Sequence, residues 1–177
     1  KRRTGLFSLP TLSLKGKVSE QEWNTRVDLA ACYRLVADMR WGDLIYTHIS
    51  AKVPGTEHYL VNAFGLGFDE VTASNLVKVD LEGNILDDTP YGINPAGFTI
   101  HSAIHEVRHD AQCVIHLHTL ATISVASVKG GLKPWSQYSM FSLPSLSYHS
   151  YEGLAVDESE KKRLQDDLGD TNHMLLP

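Results

Sequence analysis

Apolar positions change period several times along the chain, and each change predicts an element. Ser19-Glu20-Gln21-Glu22 is a capping-box pattern, in which a serine hydroxyl and a glutamate carboxylate satisfy free amides of a first helical turn. The helix it opens places Trp23, Val27, Ala30, Ala31 and Leu35 on one side at spacings of three and four, with charged residues on the solvated side. It is expected to end near Arg40, before Gly42. From residue 44 the period becomes two, so 44–53 and 58–62 predict a hairpin turning at Pro54-Gly55. Phe64-Gly65-Leu66-Gly67 predicts a tight turn, 72–76 a short capped helical turn, and 77–80 a strand. Glu82-Gly83-Asn84 then turns the chain into Ile85-Leu86.

Pro95 precedes a helical stretch over 97–109 whose stripe is Ile100, Ala103, Ile104 and Val107. Gln112-Cys113-Val114-Ile115-His116-Leu117-His118-Thr119 follows, and its β-branched residues favour an extended backbone. A second helix over 120–129 ends at Gly130-Gly131. Residues 132–153 carry aromatic and polar clusters, Asp157-Glu158 caps a charged helix over 159–168, and Met174-Leu175-Leu176 is a short apolar run. Strands interspersed with helices predict an α/β sandwich with a mostly antiparallel sheet. Residues 1–18 lack periodicity and read as an extended arm, leaving 19–177 as the domain.

Composition narrows the function classes. A hydrophobic share of 42% over 177 residues suits one globular domain, able to bury about 70% of its unfolded surface. A formal charge of −5, with no long basic run after Lys1-Arg2-Arg3, argues against a nucleic-acid partner. No stretch approaches a membrane span and no signal-peptide core follows the basic start, so no membrane partner is expected. Cys32 and Cys113 sit in apolar settings and are expected to be buried thiols, which fits a reducing cytoplasm.

The candidate chemistry gathers at the histidines. On a strand, His116 and His118 project from one side. Two imidazoles one pleat apart can both reach one divalent ion at about 2.0–2.1 Å. By itself such a pair is a weak signal. His101 and His105 lie one helical turn apart with Glu106 next, but Ser102 stands where a zincin motif requires glutamate. They are expected to pack or hydrogen-bond beside the site. Arg108, His109 and Asp110 are expected to face solvent, and His149, near Tyr148 and Tyr151, to lie in a loop that closes over the site.

The text Asn94-Pro95-Ala96-Gly97-Phe98-Thr99-Ile100-His101-Ser102-Ala103-Ile104-His105, followed by Ala111 to Thr119, resembles the class II aldolase/adducin family. Its wording is closer to the adducin-like branch than to the sugar-phosphate aldolases, and the resemblance covers 19–177. It implies a three-layer α/β sandwich, a mostly antiparallel central sheet flanked by helices on both faces. It also implies a divalent metal, zinc, held by His116, His118 and a third histidine. The family carries that third ligand in an Asn-His-Gly turn shortly after the apolar run that here reads His173-Met174-Leu175-Leu176-Pro177. The third ligand is therefore expected beyond Pro177, in a C-terminal part that this sequence lacks.

Departures from the family pattern bear on the substrate. The glutamate that serves the aldolases as a metal-side acid/base falls at Gly97, and their Ser-Ser phosphate contacts become Pro95-Ala96. The asparagine that contacts phosphate aligns with His48, whereas Gly65 keeps its match, so His48 and Gly65 are the substrate-binding positions. Phosphorylated substrates are disfavoured by these changes. Tyr138, measured from Pro134, matches a tyrosine offered across a subunit interface as proton donor, and a phenol of pKa about 10 can protonate a leaving carbanion. The resemblance thus implies a metal-dependent aldolase-type lyase or epimerase, acting on a small hydroxy-carbonyl substrate through an enediolate. A cytoplasmic homo-oligomer, a ring of four, is the expected assembly. The alternatives are a catalytically silent, adducin-like oligomerisation or scaffold domain, and a small-molecule-binding module without chemistry.

Overall fold

The computed structural model describes residues 13–177. The predicted arm lies mostly outside them, and its described end makes a turn in which Lys17 N–H donates to the Leu14 carbonyl. Helix α1 (Glu20–Asp38) begins at Ser19, whose hydroxyl accepts from Glu22 N–H, as the capping pattern predicts. It ends at Met39, and Arg40 takes a left-handed φ of 59°.

The central sheet contains β1 (His48–Lys52), β2 (Tyr59–Val61), β3 (Val77–Val79) and β4 (Cys113–His116), in the order β3-β2-β1-β4 with every pairing antiparallel. The predicted hairpin turns at Gly55, with φ +76°. Its first strand is shorter than predicted, because 44–47 form a turn closed by Tyr46 N–H to the Asp43 carbonyl and Asp43 N–H to Thr47 Oγ1. Residues 72–76 form a hydrogen-bonded turn, and the helical turn lies earlier, a 3-10 segment at Phe68–Glu70.

Alternation along β1 defines the layers. Ile49 and Val53 join Leu60, Leu29, Tyr33 and Val36 in a core between the sheet and α1. On the other face, His48 and Ser50 meet helix α2 (Pro95–Val107), capped by Asn94. Two helices therefore cover opposite faces of a mostly antiparallel sheet, as predicted. α3 (Leu120–Ala126) and α4 (Gln137–Ser142) follow β4. β5 (Leu146–Tyr148) and β6 (His173–Leu175) then form a separate parallel pair, and α5 (Glu158–Leu168) packs on α2. Gln165 Nε2 bonds the Ala103 carbonyl at 3.1 Å across that contact.

The buried face of α1 is not the stripe predicted. Glu22, Arg26, Leu29, Ala30, Tyr33 and Val36 are buried, while Val27, Ala31 and Leu35 are exposed. Polar residues can take the inner face because they neutralise one another. Fully buried Arg26 reaches Glu22 at 2.9 Å and Asp87 at 2.7 Å, and Lys78 reaches Glu22 at 2.9 Å. Burial alone would raise the Glu22 pKa, but bonds from Lys78 and Arg26 outweigh it and hold the carboxyl below its ordinary value.

Tyr33 ties α1 to the sheet where β1 and β2 diverge. Its hydroxyl accepts from Ile49 N–H at 2.7 Å and Asn62 N–H at 3.1 Å, replacing ladder bonds at that end. Two further expectations are corrected. Arg108 does not simply face solvent: it pairs with Asp110 at 2.8 Å and donates to the Thr171 carbonyl at 2.7 Å, fastening α2 to the segment before β6. Cys32 is half-buried, but Cys113 is exposed, because β4 is the edge of the sheet.

Candidate metal centre

The site forms where β1 and β4 meet the first turns of α2. Cα pairing sets His48 opposite His116 and Ser50 opposite Val114. Directly opposed residues share a face, so the His48 and His116 rings stack with centroids 4.8 Å apart and planes 12° apart. His118 lies two residues beyond His116, past the last strand residue, yet its ring meets that of His116 at 4.9 Å.

The ligand geometry is specific. His116 Nε2 and His118 Nε2 are 3.0 Å apart, and His118 Nδ1 is 3.1 Å from Asp43 Oδ2. A proton on that Nδ1 leaves the Nε2 lone pair free, the usual arrangement of a carboxylate behind a metal-binding histidine. Two nitrogens bound to one tetrahedral ion at about 2.0–2.1 Å stand roughly 3.3 Å apart, close to the separation seen. The pair thus fits two corners of a coordination sphere. Among the described residues, no three His, Cys, Asp or Glu side chains form such a group. Remaining positions would have to be filled from elsewhere. A bound divalent ion would polarise a substrate carbonyl and hydroxyl there.

Behind the pair runs a buried polar chain. His48 Nδ1 lies 2.8 Å from His101 Nε2, His101 Nδ1 lies 2.5 Å from Ser50 Oγ, and Ser50 Oγ lies 2.7 Å from His105 Nε2. Burial is the main cause that lowers the pKa of each imidazole: His48 to about 3, with His116 and His118 adding to it, and His105 to about 4, with the Lys52 charge adding. His101 is pushed well down by burial and then by His48. His116 is lowered to about 4 by burial and by His118. These rings are therefore neutral near neutrality, the state in which imidazole nitrogens can accept.

Gly97 completes this wall. A Cβ built there would stand 2.8 Å from His48 Cδ2 and 3.0 Å from its Nε2. Only a residue without a side chain lets α2 come this close to the His48 ring.

The structure brings His48, His116 and His118 together, and it sets His101 and His105 beside them as hydrogen-bonding residues, as expected. Gly65 follows β2 at the end of the sheet that carries His48, with φ +90° and no atom within 4 Å of a built Cβ. Its need for glycine is the backbone turn and not close approach. Tyr138 is not brought to the imidazoles, since it projects from α4 with 84% of its surface exposed. His149 does not close over the site. It is buried against α5, with Nδ1 2.7 Å from Asp167 and Nε2 3.4 Å from Glu160. Sequence reasoning missed Asp43 and Ser50. The available signal for Ser50 was polar residues at alternate positions, His48, Ser50 and Lys52, in an otherwise core strand.

This antiparallel sheet between helices is the fold of class II aldolase superfamily members. Residues 27–177 match the model of the Class II Aldolase and Adducin N-terminal domain, and the chain belongs to that family. It is 63% identical over 174 residues to a Pseudomonas aeruginosa protein named putative aldolase class 2 protein, covering 98% of this chain and 67% of that one. It is 47% identical over 154 residues to alpha-adducin of Rattus norvegicus, covering 85% of this chain and 21% of adducin. The crystal structure of an aldolase II superfamily protein from Pseudomonas syringae superposes with a TM-score of 0.89 at 57% identity, over 93% of this chain and 67% of that one. The chain thus spans about two thirds of the length of these bacterial relatives. No described helix is long and apolar enough to cross a membrane.

Proposed function

We propose that the protein is a divalent-metal-dependent, aldolase-type lyase or epimerase acting on a small hydroxy-carbonyl compound. The observation that carries this reading is the convergence of His116 Nε2 and His118 Nε2, with Asp43 behind His118. Family membership and the relative named for aldolase class 2 support it. In this reading the two histidines hold zinc with a third histidine that lies beyond Pro177, and residues 19–177 are the domain that carries the other two. His48 and Gly65 line the substrate position. Tyr138, exposed on α4, supplies a proton to the site of a neighbouring subunit in a homo-oligomer of four, working in the cytoplasm. C–C cleavage of such a compound would leave an enediolate on one fragment, and a divalent ion held by His116 and His118 would supply the positive charge that stabilises it, with Tyr138 as the acid.

A second reading has its own support. Identity of 47% to alpha-adducin is high enough for a domain kept for its fold and its contacts, without chemistry.

Elemental analysis of the full-length protein and of His116→Ala/His118→Ala separates the two. Near-stoichiometric zinc, manganese or iron that disappears in the double variant is the expected result. A full-length protein that is folded and binds none of them overturns the lyase reading and leaves the scaffold.

A further inference from the structure

One side chain fastens together two turns of backbone that lie far apart in the sequence. Asn94 Oδ1 caps α2 by accepting from Ala96 N–H at 3.0 Å and Gly97 N–H at 3.4 Å. Its Nδ2 donates to the Ile45 carbonyl at 2.8 Å. A capping asparagine uses only its oxygen, and aspartate or serine caps a helix about as well. Capping alone therefore does not need the Nδ2 bond.

That bond lands in the turn that carries Asp43. Tyr46 N–H donates to the Asp43 carbonyl at 2.9 Å, and Asp43 N–H donates to Oγ1 of buried Thr47 at 3.1 Å. Leu44, between Asp43 and Ile45, takes a left-handed φ of 49° with 78% of its surface exposed. For a residue with a Cβ this conformation is unfavourable and persists only where the surroundings hold it. Leu44 lies mostly in solvent, so hydrogen bonds rather than packing supply the hold. Two of them close the turn on itself, and the Asn94 bond anchors it to α2.

The turn places the Asp43 carboxylate 3.1 Å from His118 Nδ1. Gly97, whose N–H the same Asn94 oxygen receives, lies against the His48 ring. One amide thus joins the helix start that walls His48 to the turn that supports His118. We propose that Asn94 is a positioning residue: it braces the left-handed turn at Leu44 against the start of α2 and so holds Asp43 where it orients His118 for metal. The metal half of this proposal rests on the lyase reading above, and the brace itself does not.

Amide hydrogen exchange on metal-free full-length protein tests the brace, and two variants separate it from the cap. Asn94→Asp and Asn94→Ser both keep a capping oxygen, but the first has no donor and the second is too short to reach both partners. In both, the Asp43 and Tyr46 amides are expected to exchange about 2–10-fold faster, the worth of one hydrogen bond. The Phe98 amide, which donates to the Asn94 carbonyl at 2.8 Å in the first turn of α2, is expected to keep its rate. Folded variants with wild-type rates at Asp43 and Tyr46 overturn the brace. Equal acceleration of all three amides also overturns it, because that marks a lost cap. If neither variant folds, the wild-type protein decides. Thr56 N–H closes another exposed turn, onto the Val53 carbonyl at 3.2 Å, and among the described residues no side chain from another element donates to the carbonyls of that turn. Corrected for intrinsic rates, Tyr46 is expected to exchange more slowly than Thr56, and equal rates overturn the proposal.

Chelator competition reads the metal half. Asn94→Ser, which adds no charge, is expected to lower zinc affinity about 2–10-fold. Unchanged affinity beside faster Asp43 exchange overturns the role in metal binding. A full-length wild type that binds no zinc overturns the lyase reading and the metal half with it, while the exchange pattern still decides the brace.

Discussion

The edge of the His48 ring lies against the backbone of Gly97, where a Cβ would stand 2.8 Å from His48 Cδ2. One strand and one helix, far apart in the sequence, are thereby coupled through a missing side chain. Alanine is worth roughly 1 kcal/mol more than glycine inside a helix, yet Gly97→Ala is expected to destabilise. Overpacking costs about 1–3 kcal/mol and exceeds the helical gain. Denaturant unfolding of Gly97→Ala, His48→Ala and the double variant checks this. The double variant should be more stable than the sum of the single changes predicts, with a coupling of about 1–2 kcal/mol.

The buried ion cluster of α1 makes a second prediction. Arg26 is fully buried between Glu22 and Asp87 and also donates to the Leu76 carbonyl at 2.8 Å. Arg26→Ala leaves two carboxylates beside Lys78 alone and should lose about 3–5 kcal/mol of unfolding free energy. Leu35→Ala, on the exposed face of the same helix, should change it by no more than about 0.5 kcal/mol. Equal losses at the two positions would place the buried face of α1 wrongly.

Acid sensitivity follows from the imidazoles. His48, His105 and His116 have folded pKa values lowered to about 3, about 4 and about 4, against an ordinary value of 6.5. Between 6.5 and those lowered values the unfolded chain binds more protons than the folded one, so stability rises with pH. Their full contribution is present above about pH 6.5 and is lost progressively as pH falls toward 4. Glu22, whose pKa is also lowered, acts in the same direction at lower pH. The melting temperature of metal-free protein should therefore fall on acidification from pH 7 to pH 5, and a flat profile would contradict the burial of these rings. Replacing His105 by Gln should shallow the slope.

Asp43 offers a test that leaves the proposed ligands in place. Its carboxylate sits 3.1 Å from His118 Nδ1 in the turn before β1. Asp43→Asn keeps the shape but removes the charge that orients the imidazole. Zinc affinity of the full-length protein, measured by competition with a chelator, should fall about 10–100-fold. Unaltered affinity would mean that the Asp43 charge does not tune His118.

What the sequence determined by itself was local. Ser19 marked the start of α1, Pro54-Gly55 the hairpin, Pro95 the start of α2 to within two residues, and Asp157 that of α5, because caps and turns act within a few residues. Strand alternation predicted His116 and His118 on one side, although β4 ends at His116 and His118 meets it from the residues beyond, and family resemblance supplied the architecture. Tertiary structure decided what lies across from those residues. Nothing local tells His48 that it faces His116, Ser50 that it joins His101 to His105, or Gly97 that it makes room for His48, since strand register and helix docking set these contacts. The inner face of α1 was misread for the same reason. Arg26 and Glu22 look solvent-bound until Asp87 and Lys78, contributed by distant segments, neutralise them, and only then does burying them become cheaper than burying Val27 and Leu35.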